Sequence, residues 1–316
     1  MEKRELGKSG LNVSPFCFGG NVFGWTVDIK ESFKLLDAFV DAGFNFIDTA
    51  DTYSWWVPGN TGGESEAIIG KWLSERKNRD RIILSTKTGS QNNKRPKNVS
   101  KQFILSSVEG SLRRLKTDYI DLYQTHFDDE NTPVEETLSA YEQLIKEGKV
   151  RVIGTSNMSP ERIRESLKAS EAKGFPKYQT LQPLYNLMER ESYEKELMGI
   201  VEDNNMGVLS YYSLASGFLS GKYRSADDLI KSQRGGGLKK YLNERGFKVL
   251  EVLDKISEKH GTTQAAVSLG WLMARPTITS PIVSATSLKQ MESIINAPQL
   301  KLEKEDMELL NNASAY

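Results

Sequence analysis

A single cysteine, Cys17, stands among 316 residues. No internal disulfide can form, and such a chain fits a reducing compartment. Cys17 reads as inert core of the first strand. Histidine is almost as scarce, with only His126 and His260. Two distant histidines and one cysteine cannot make a closed or catalytic zinc site, so no metal is expected. Neither charge is in excess, with 42 Lys and Arg against 42 Asp and Glu. Nothing in that balance attracts nucleic acid or an anionic membrane. The longest basic cluster, KNRDR at 77–81, reads as a solvated helix end. No run approaches the ~18 apolar residues of a membrane helix. The opening MEKRELGKSG lacks the apolar core of a signal peptide, so the protein is expected in the cytoplasm. Two phosphate-binding signatures are missing as well. No G-x-G-x-x-G follows the first strand, and GKW (70–72) and GKY (221–223) lack the hydroxyl of a phosphate loop.

What is present is alternation. Strand-like runs fall at 12–20, 44–50, 81–87, 119–126, 150–157, 178–186, 206–213 and 278–286. Between them lie runs with apolar residues at three- and four-residue spacing. IKESFKLLDAFVDAG, which stops at Gly43, is one, and VEETLSAYEQLIKEG is another. ESEAIIGKWLSERK, FILSSVEGSLRRLK, ERIRESLKASEAKG, YEKELMGIVEDNN, FKVLEVLDKISEKHG and TQAAVSLGWLMARP behave alike. His260 lies at such a helix end and reads as a cap. Strands alternating with helices imply a parallel sheet. Eight such units favour an α/β (β/α)8 TIM barrel, one domain over 1–316, against an open doubly wound sheet. The residues around GKSG predict an N-terminal hairpin across the barrel bottom. Two stretches break the rhythm: 54–64, and 220–246 with glycines at 235–237. Long loops on a compact domain are usually functional or mobile.

The strand ends carry the chemistry. They place Asp48, Lys87, His126, Ser156 with Asn157, Gln182 and Tyr211 at six strands. In a (β/α)8 barrel these ends converge on one face. Asp48 read alone could cap a turn, but polar residues at six strand ends are hard to explain by packing. Tyr53 adds a phenol on the loop after Asp48. A free tyrosine, with a pKa near ~10, is a poor acid at neutral pH. An ammonium at Lys87 would lower that value, and Asp48 would hold the ammonium charged. His126 would orient a substrate oxygen. Such a site gives a proton to an oxygen as charge develops on it. That is half of a carbonyl reduction, and a cofactor must bring the hydride. A planar ring could stack on Tyr211, and its amide would match Ser156, Asn157 and Gln182, which suits nicotinamide.

The motifs FIDTADTY, GESEAIIGKWL, STKTG, DYIDLYQTH, GKVRVIGTSN, LQPLYN and SYYSLASGFLSGKY follow one another over nearly the whole chain. In content and order they resemble the aldo-keto reductases, (β/α)8 enzymes that use NAD(P)H. The resemblance implies a catalytic tetrad of Asp48, Tyr53, Lys87 and His126, and nicotinamide contacts at Ser156, Asn157, Gln182 and Tyr211. It also implies cofactor contacts at Leu214, Ser216 and Lys222, with the 220–246 stretch clamping the pyrophosphate, and at Ser284, Thr286 and Gln290. The family's Tyr-Ser-Pro-Leu is Tyr211-Tyr212-Ser213-Leu214 here, so Tyr212 is an alternative stacking residue. Where relatives that prefer NADPH carry Arg or Lys, this chain has Thr286 and Ser287, with Lys289 and Gln290 after them. NADP(H) is the expected cofactor, with NAD(H) the alternative.

Trp25 and Trp55 are expected to wall the substrate pocket, with Trp56 balanced between wall and packing. The expected partner is a small carbonyl compound, with neither nucleic acid nor membrane, on a protein that is monomeric by default. A cofactor-binding regulatory subunit like the channel β subunits of the family is the second reading. A lyase or isomerase with a Schiff base on Lys87 is the third.

Overall fold

The computed structural model describes residues 2–231 and 235–316. A short antiparallel hairpin comes first, β1 (Arg4–Glu5) against β2 (Asn12–Val13). Eight parallel strands follow: β3 (Cys17–Gly19), β4 (Phe46–Asp48), β5 (Ile83–Thr88), β6 (Ile120–Thr125), β7 (Val150–Ser156), β8 (Thr180–Gln182), β9 (Gly207–Val208) and β10 (Ile282–Val283). They lie in the order β10-β3-β4-β5-β6-β7-β8-β9. The sheet curls back on itself, for Ser280 N donates to Val208 O at 3.1 Å and Ile282 N to Ser210 O at 2.8 Å. This is the expected (β/α)8 barrel.

Helices α1 (Ile29–Asp41), α2 (Glu64–Arg76), α3 (Lys101–Leu115), α4 (Val134–Lys146), α5 (Pro160–Lys173) and α6 (Met198–Asn204) connect successive strands. Between β9 and β10 lie α7 (Glu244–Lys259) and α8 (Gln264–Met273), and α9 (Leu288–Asn296) and α10 (Lys304–Ala313) close the chain. Their starts follow from local chemistry. Asp28 and Ser159 accept the Glu31 and Arg162 amides, and Pro160, which has no amide hydrogen to satisfy, opens α5. His260 sits at the end of α7, with Nε2 2.7 Å from Asp306 Oδ2 of α10.

The main apolar core fills the space between sheet and helices. A smaller one fills the barrel bottom, where Cys17, Phe46, Leu122, Val152 and Leu209 meet Leu6 and Val13 of the hairpin. The hairpin is therefore the plug the sequence suggests. Gly70 lets α2 lie on α3, since a Cβ there would stand 2.0 Å from Arg114 O. Among the described residues no helix is long and apolar enough to cross a membrane.

Several expected elements need correction. The 12–20 strand is two, parted at Pro15, which cannot donate to a ladder. The 178–186 strand ends at Gln182, before Pro183, and the 278–286 strand is cut to two residues after Pro281. KNRDR is only partly solvated, because Arg79 reaches Asp121 Oδ2 at 2.7 Å and Tyr119 O at 2.9 Å. The stretch after β9 is wound into short 3-10 turns at Ala215–Ser220, which is kinked at non-helical Ser216 and Gly217, at Ala226–Lys231 and at Gly235–Tyr241. Residues 232–234 of the expected clamp lie outside the described residues.

Candidate active site

Strand alternation divides β5 between two tasks. Ser85 and Lys87 point into the barrel, while Thr86 and Thr88 face the helices and bond Glu66 and Ser107. The Lys87 side chain is fully buried, 2.6 Å from Asp48 Oδ2. Its ammonium also donates to Thr49 O at 2.7 Å and to Tyr53 Oη at 3.0 Å. Three donors meet three acceptors, so the charge is buried with every proton bonded. Burial pulls the Lys87 pKa down, but Asp48 and Tyr53 more than reverse this and leave it raised.

Asp48 is held from its other side. Its Oδ1 accepts from Ser85 Oγ at 2.9 Å and from Gln124 Nε2 and Gln182 Nε2 at 3.3 Å each. Sequence reasoning missed Ser85 and Gln124. The available signal was their spacing, each two residues before Lys87 or His126 and therefore on the same face of its strand. Gly154 makes room for this layer, because a Cβ there would stand 2.0 Å from Thr180 Oγ1.

Tyr53 is half-buried at the mouth, and its ring lies 5.9 Å from the His126 ring. Burial raises the Tyr53 pKa, Lys87 draws it back, and Asp48 raises it again; the net is upward. The sequence expectation of a lowered phenol is corrected for the protein alone, since burial and Asp48 together exceed the pull of the ammonium. Burial, reinforced by Lys87, pushes the His126 pKa well below its usual value and keeps the imidazole neutral. His126 Nδ1 is buried with no hydrogen-bond partner among the described residues.

The expected ring-binding residues form one chain of bonds. Tyr211 Oη donates to Asn157 Oδ1 at 2.9 Å, and Asn157 Nδ2 donates to Ser156 Oγ at 3.0 Å and His126 O at 2.9 Å. Ser156 Oγ donates to Gln182 O at 2.8 Å. Asn157 takes φ +48°, a left-handed conformation that asparagine tolerates better than most residues. Tyr212, the alternative stacking residue, has φ +53° and is over half exposed, whereas Tyr211 is tied into the chain of bonds.

Farther out, Ala215, Ser216 and Gly217 follow Leu214 with positive φ, and the Ala215 and Gly217 amides donate to Tyr212 O at 2.6 Å and Leu214 O at 2.8 Å. Lys222 lies beside them, with Nζ 5.0 Å from the Tyr223 ring. Ser284 turns inward, its one hydroxyl proton between two acceptors, Gly19 O and Asn21 Oδ1, both 2.7 Å from Oγ. Gln290 Oε1 accepts from Thr286 N at 2.9 Å and Thr286 Oγ1 at 3.2 Å, at the start of α9. Trp25, Trp55 and Trp56 cluster at the mouth. Trp56 touches both of the others edge-on and stands 6.2 Å from the Tyr53 ring.

The aldo/keto reductase family model matches residues 15–315. The chain belongs to the aldo-keto reductase family. Among its relatives is an uncharacterised oxidoreductase of Bacillus subtilis, YrpG, 35% identical over 99% of this chain and 95% of that protein. An L-glyceraldehyde 3-phosphate reductase of Escherichia coli K12 is 30% identical over 94% of this chain and 87% of its own length. A probable voltage-gated potassium channel subunit beta of Arabidopsis thaliana is 32% identical over 94% and 91%. As an aldo-keto reductase the chain is an NAD(P)H-dependent oxidoreductase acting on small carbonyl compounds. The hydroxyl and amide groups at Ser156, Asn157 and Gln182 suit a carboxamide, and the Tyr211 ring suits a planar partner. This aldo-keto reductase thus has residues that fit the nicotinamide cofactor of its family.

Proposed function

We propose that this protein reduces aldehydes and ketones to alcohols with Tyr53 as proton donor, assisted by Lys87, Asp48 and His126. One observation carries the reading. Tyr53 Oη accepts from Lys87, so its own proton is left for a substrate oxygen at the mouth. A nicotinamide held there would supply the hydride that the carbonyl carbon needs. Tyr53 then gives its proton to the carbonyl oxygen as negative charge grows there. The phenolate left behind is met by a hydrogen bond and a full positive charge from Lys87, already in place. Asp48 keeps that charge fixed and is itself fixed by Ser85, Gln124 and Gln182. Neutral His126 offers an N–H to the same oxygen.

Ser156, Asn157, Gln182 and Tyr211 hold the nicotinamide in this reading, and Leu214, Ser216 and Lys222 hold the pyrophosphate. Thr286, Ser287, Lys289 and Gln290 receive the far end, where the start of α9 favours an anion. Ser284 supports that region through β3. NADP(H) is the proposed cofactor. NAD(H) is also accepted, because Thr286 and Ser287 stand at the chain positions where relatives that prefer NADPH carry Arg or Lys. Trp25, Trp55 and Trp56 wall the pocket.

A Schiff base on Lys87 is disfavoured, because its nitrogen is fully buried, charged and triply bonded to acceptors. The likeness to a channel β subunit supports one other reading, a regulatory cofactor-binding role. Oxidation of NADPH and NADH in the presence of several activated aldehydes, such as 4-nitrobenzaldehyde, separates the two. Aldehyde-dependent turnover supports the reductase. Tight cofactor binding with no turnover on any carbonyl favours the regulatory role.

A further inference from the structure

Asp51 lies between Asp48 and Tyr53 in sequence, yet its carboxylate joins a different set of groups. It is 6% exposed. Its Oδ2 accepts from Arg95 Nη2 at 2.5 Å and from Ser107 Oγ at 3.3 Å. Thr88, next to Lys87 on β5, donates to Ser107 at 2.8 Å. Among the described residues neither Asp51 Oδ1 nor Arg95 Nε, both buried, has a partner, so the pair is held by one prong where two are usual.

Arg95 belongs to the 89–98 segment, which leaves β5 just after Lys87 and folds back, Asn98 N donating to Gly89 O at 3.2 Å. The segment reaches the His126 side of the mouth. Lys97 Nζ lies 5.4 Å from the Phe127 ring, and that ring lies 5.0 Å from His126. At the other end, Asp51 N donates to Lys87 O at 3.1 Å, and Tyr53 N donates to Ala50 O at 3.2 Å. One ion pair therefore joins the loop that carries Tyr53 to the segment that flanks His126.

We propose that Asp51 and Arg95 are positioning residues for the proton transfer, a strap that fixes the Tyr53 hydroxyl relative to Lys87 and His126. This rests on the reading of Tyr53 as donor. The strap is also sensitive to acid. Burial, with Glu66 of α2 adding to it, pushes the Asp51 carboxyl up to about 6 against the pull of Arg95 and Arg114. The neighbouring Tyr123 phenol stays neutral, because burial raises it as well. Below that pH the carboxylate is lost and Arg95 is released. The folded pKa lies above the unfolded one, so the charged carboxylate opposes folding at neutral pH. An amide at position 51 then slackens the strap without weakening the fold.

The test compares wild type with Asp51→Asn, Arg95→Met and Arg95→Lys. It reads kcat and KM from about pH 5 to about pH 8, melting temperature, and the emission of the tryptophans beside Tyr53. Wild type is expected to lose kcat, and to shift its emission, as the pH falls through the Asp51 value. Asp51→Asn loses both transitions. At about pH 8 its kcat falls roughly tenfold, its melting temperature is not lowered, and its cofactor affinity is unchanged. Arg95→Met behaves alike in kcat, and Arg95→Lys restores most of the rate. The proposal is overturned if Asp51→Asn keeps the wild-type acid transitions, or if its activity falls only in step with its melting temperature. Absence of turnover in wild type would sink the reductase reading instead, and the emission titration, which needs no turnover, would still decide the strap.

Discussion

The Tyr53 hydroxyl oxygen accepts a hydrogen bond from Lys87 Nζ at 3.0 Å, which leaves the proton on that hydroxyl uncommitted to the lysine. The Lys87 ammonium is in turn anchored by Asp48 at 2.6 Å. A base, a buried cation and a phenol thus stand in line, with the phenol at the mouth.

Removing one member of the buried pair leaves an uncompensated charge. Lys87→Met and Asp48→Asn are each expected to lose about 3–5 kcal/mol of stability and nearly all activity. Removing both charges together is expected to return most of the stability and none of the activity. Chemical denaturation alongside turnover reads both effects. A double variant as unstable as the single ones would contradict the account.

The pH dependence has two signs. His126 is neutral in the fold, so it produces no change in rate between about pH 6.5 and about pH 8. An unfolded imidazole takes up a proton below about pH 6.5 and the folded one does not, so His126 costs stability as the pH falls from there. Asp51 acts the other way and gains stability as the pH falls through its raised value. Melting temperatures of His126→Gln and Asp51→Asn, followed across this range, should diverge from wild type in opposite directions.

Trp56, at 38% exposed and edge-on to Trp25, is placed to meet the part of a substrate that extends beyond the carbonyl. Trp56→Ala is expected to raise KM for aromatic aldehydes roughly tenfold, as befits one lost aromatic contact, with kcat little changed. A tenfold loss in kcat at constant KM would show that Trp56 acts on the chemistry instead.

At the proposed far end of the cofactor site, Gln290 holds the Thr286 amide. The hydroxyls of Thr286 and Ser287 stand where relatives that prefer NADPH carry Arg or Lys, so wild type is expected to discriminate between NADPH and NADH by less than about tenfold in kcat/KM. Thr286→Arg should raise the preference for NADPH by roughly another tenfold, the worth of one charge-assisted contact. An unchanged ratio would place the 2′-phosphate elsewhere.

Much of this was legible in residue order. Alternating strand and helix patterns gave the barrel, and the polar strand ends gave Asp48, Lys87 and His126, because parallel strands put their ends on one face. The lengths of the strands were not legible, since Pro15, Pro183 and Pro281 end or divide runs whose hydrophobicity continues. The groups that hold Asp48 were hidden for another reason. Ser85 and Gln124 are ordinary residues until the curl of the sheet brings β5 and β6 beside β4. Which tryptophan stands beside the Tyr53 ring likewise depended on how the 54–64 loop turns, which no spacing reveals. The sign of the Tyr53 shift required knowing how deeply the phenol is buried.

The most direct test of the central claim is aldehyde-dependent oxidation of NADPH by wild type and Tyr53→Phe, with cofactor binding measured in the same samples. The account predicts turnover in wild type, a loss of about 100- to 10,000-fold in the variant, and equal NADPH affinity in both. Turnover retained in Tyr53→Phe with normal NADPH binding would contradict it, because the proton would then come from another group.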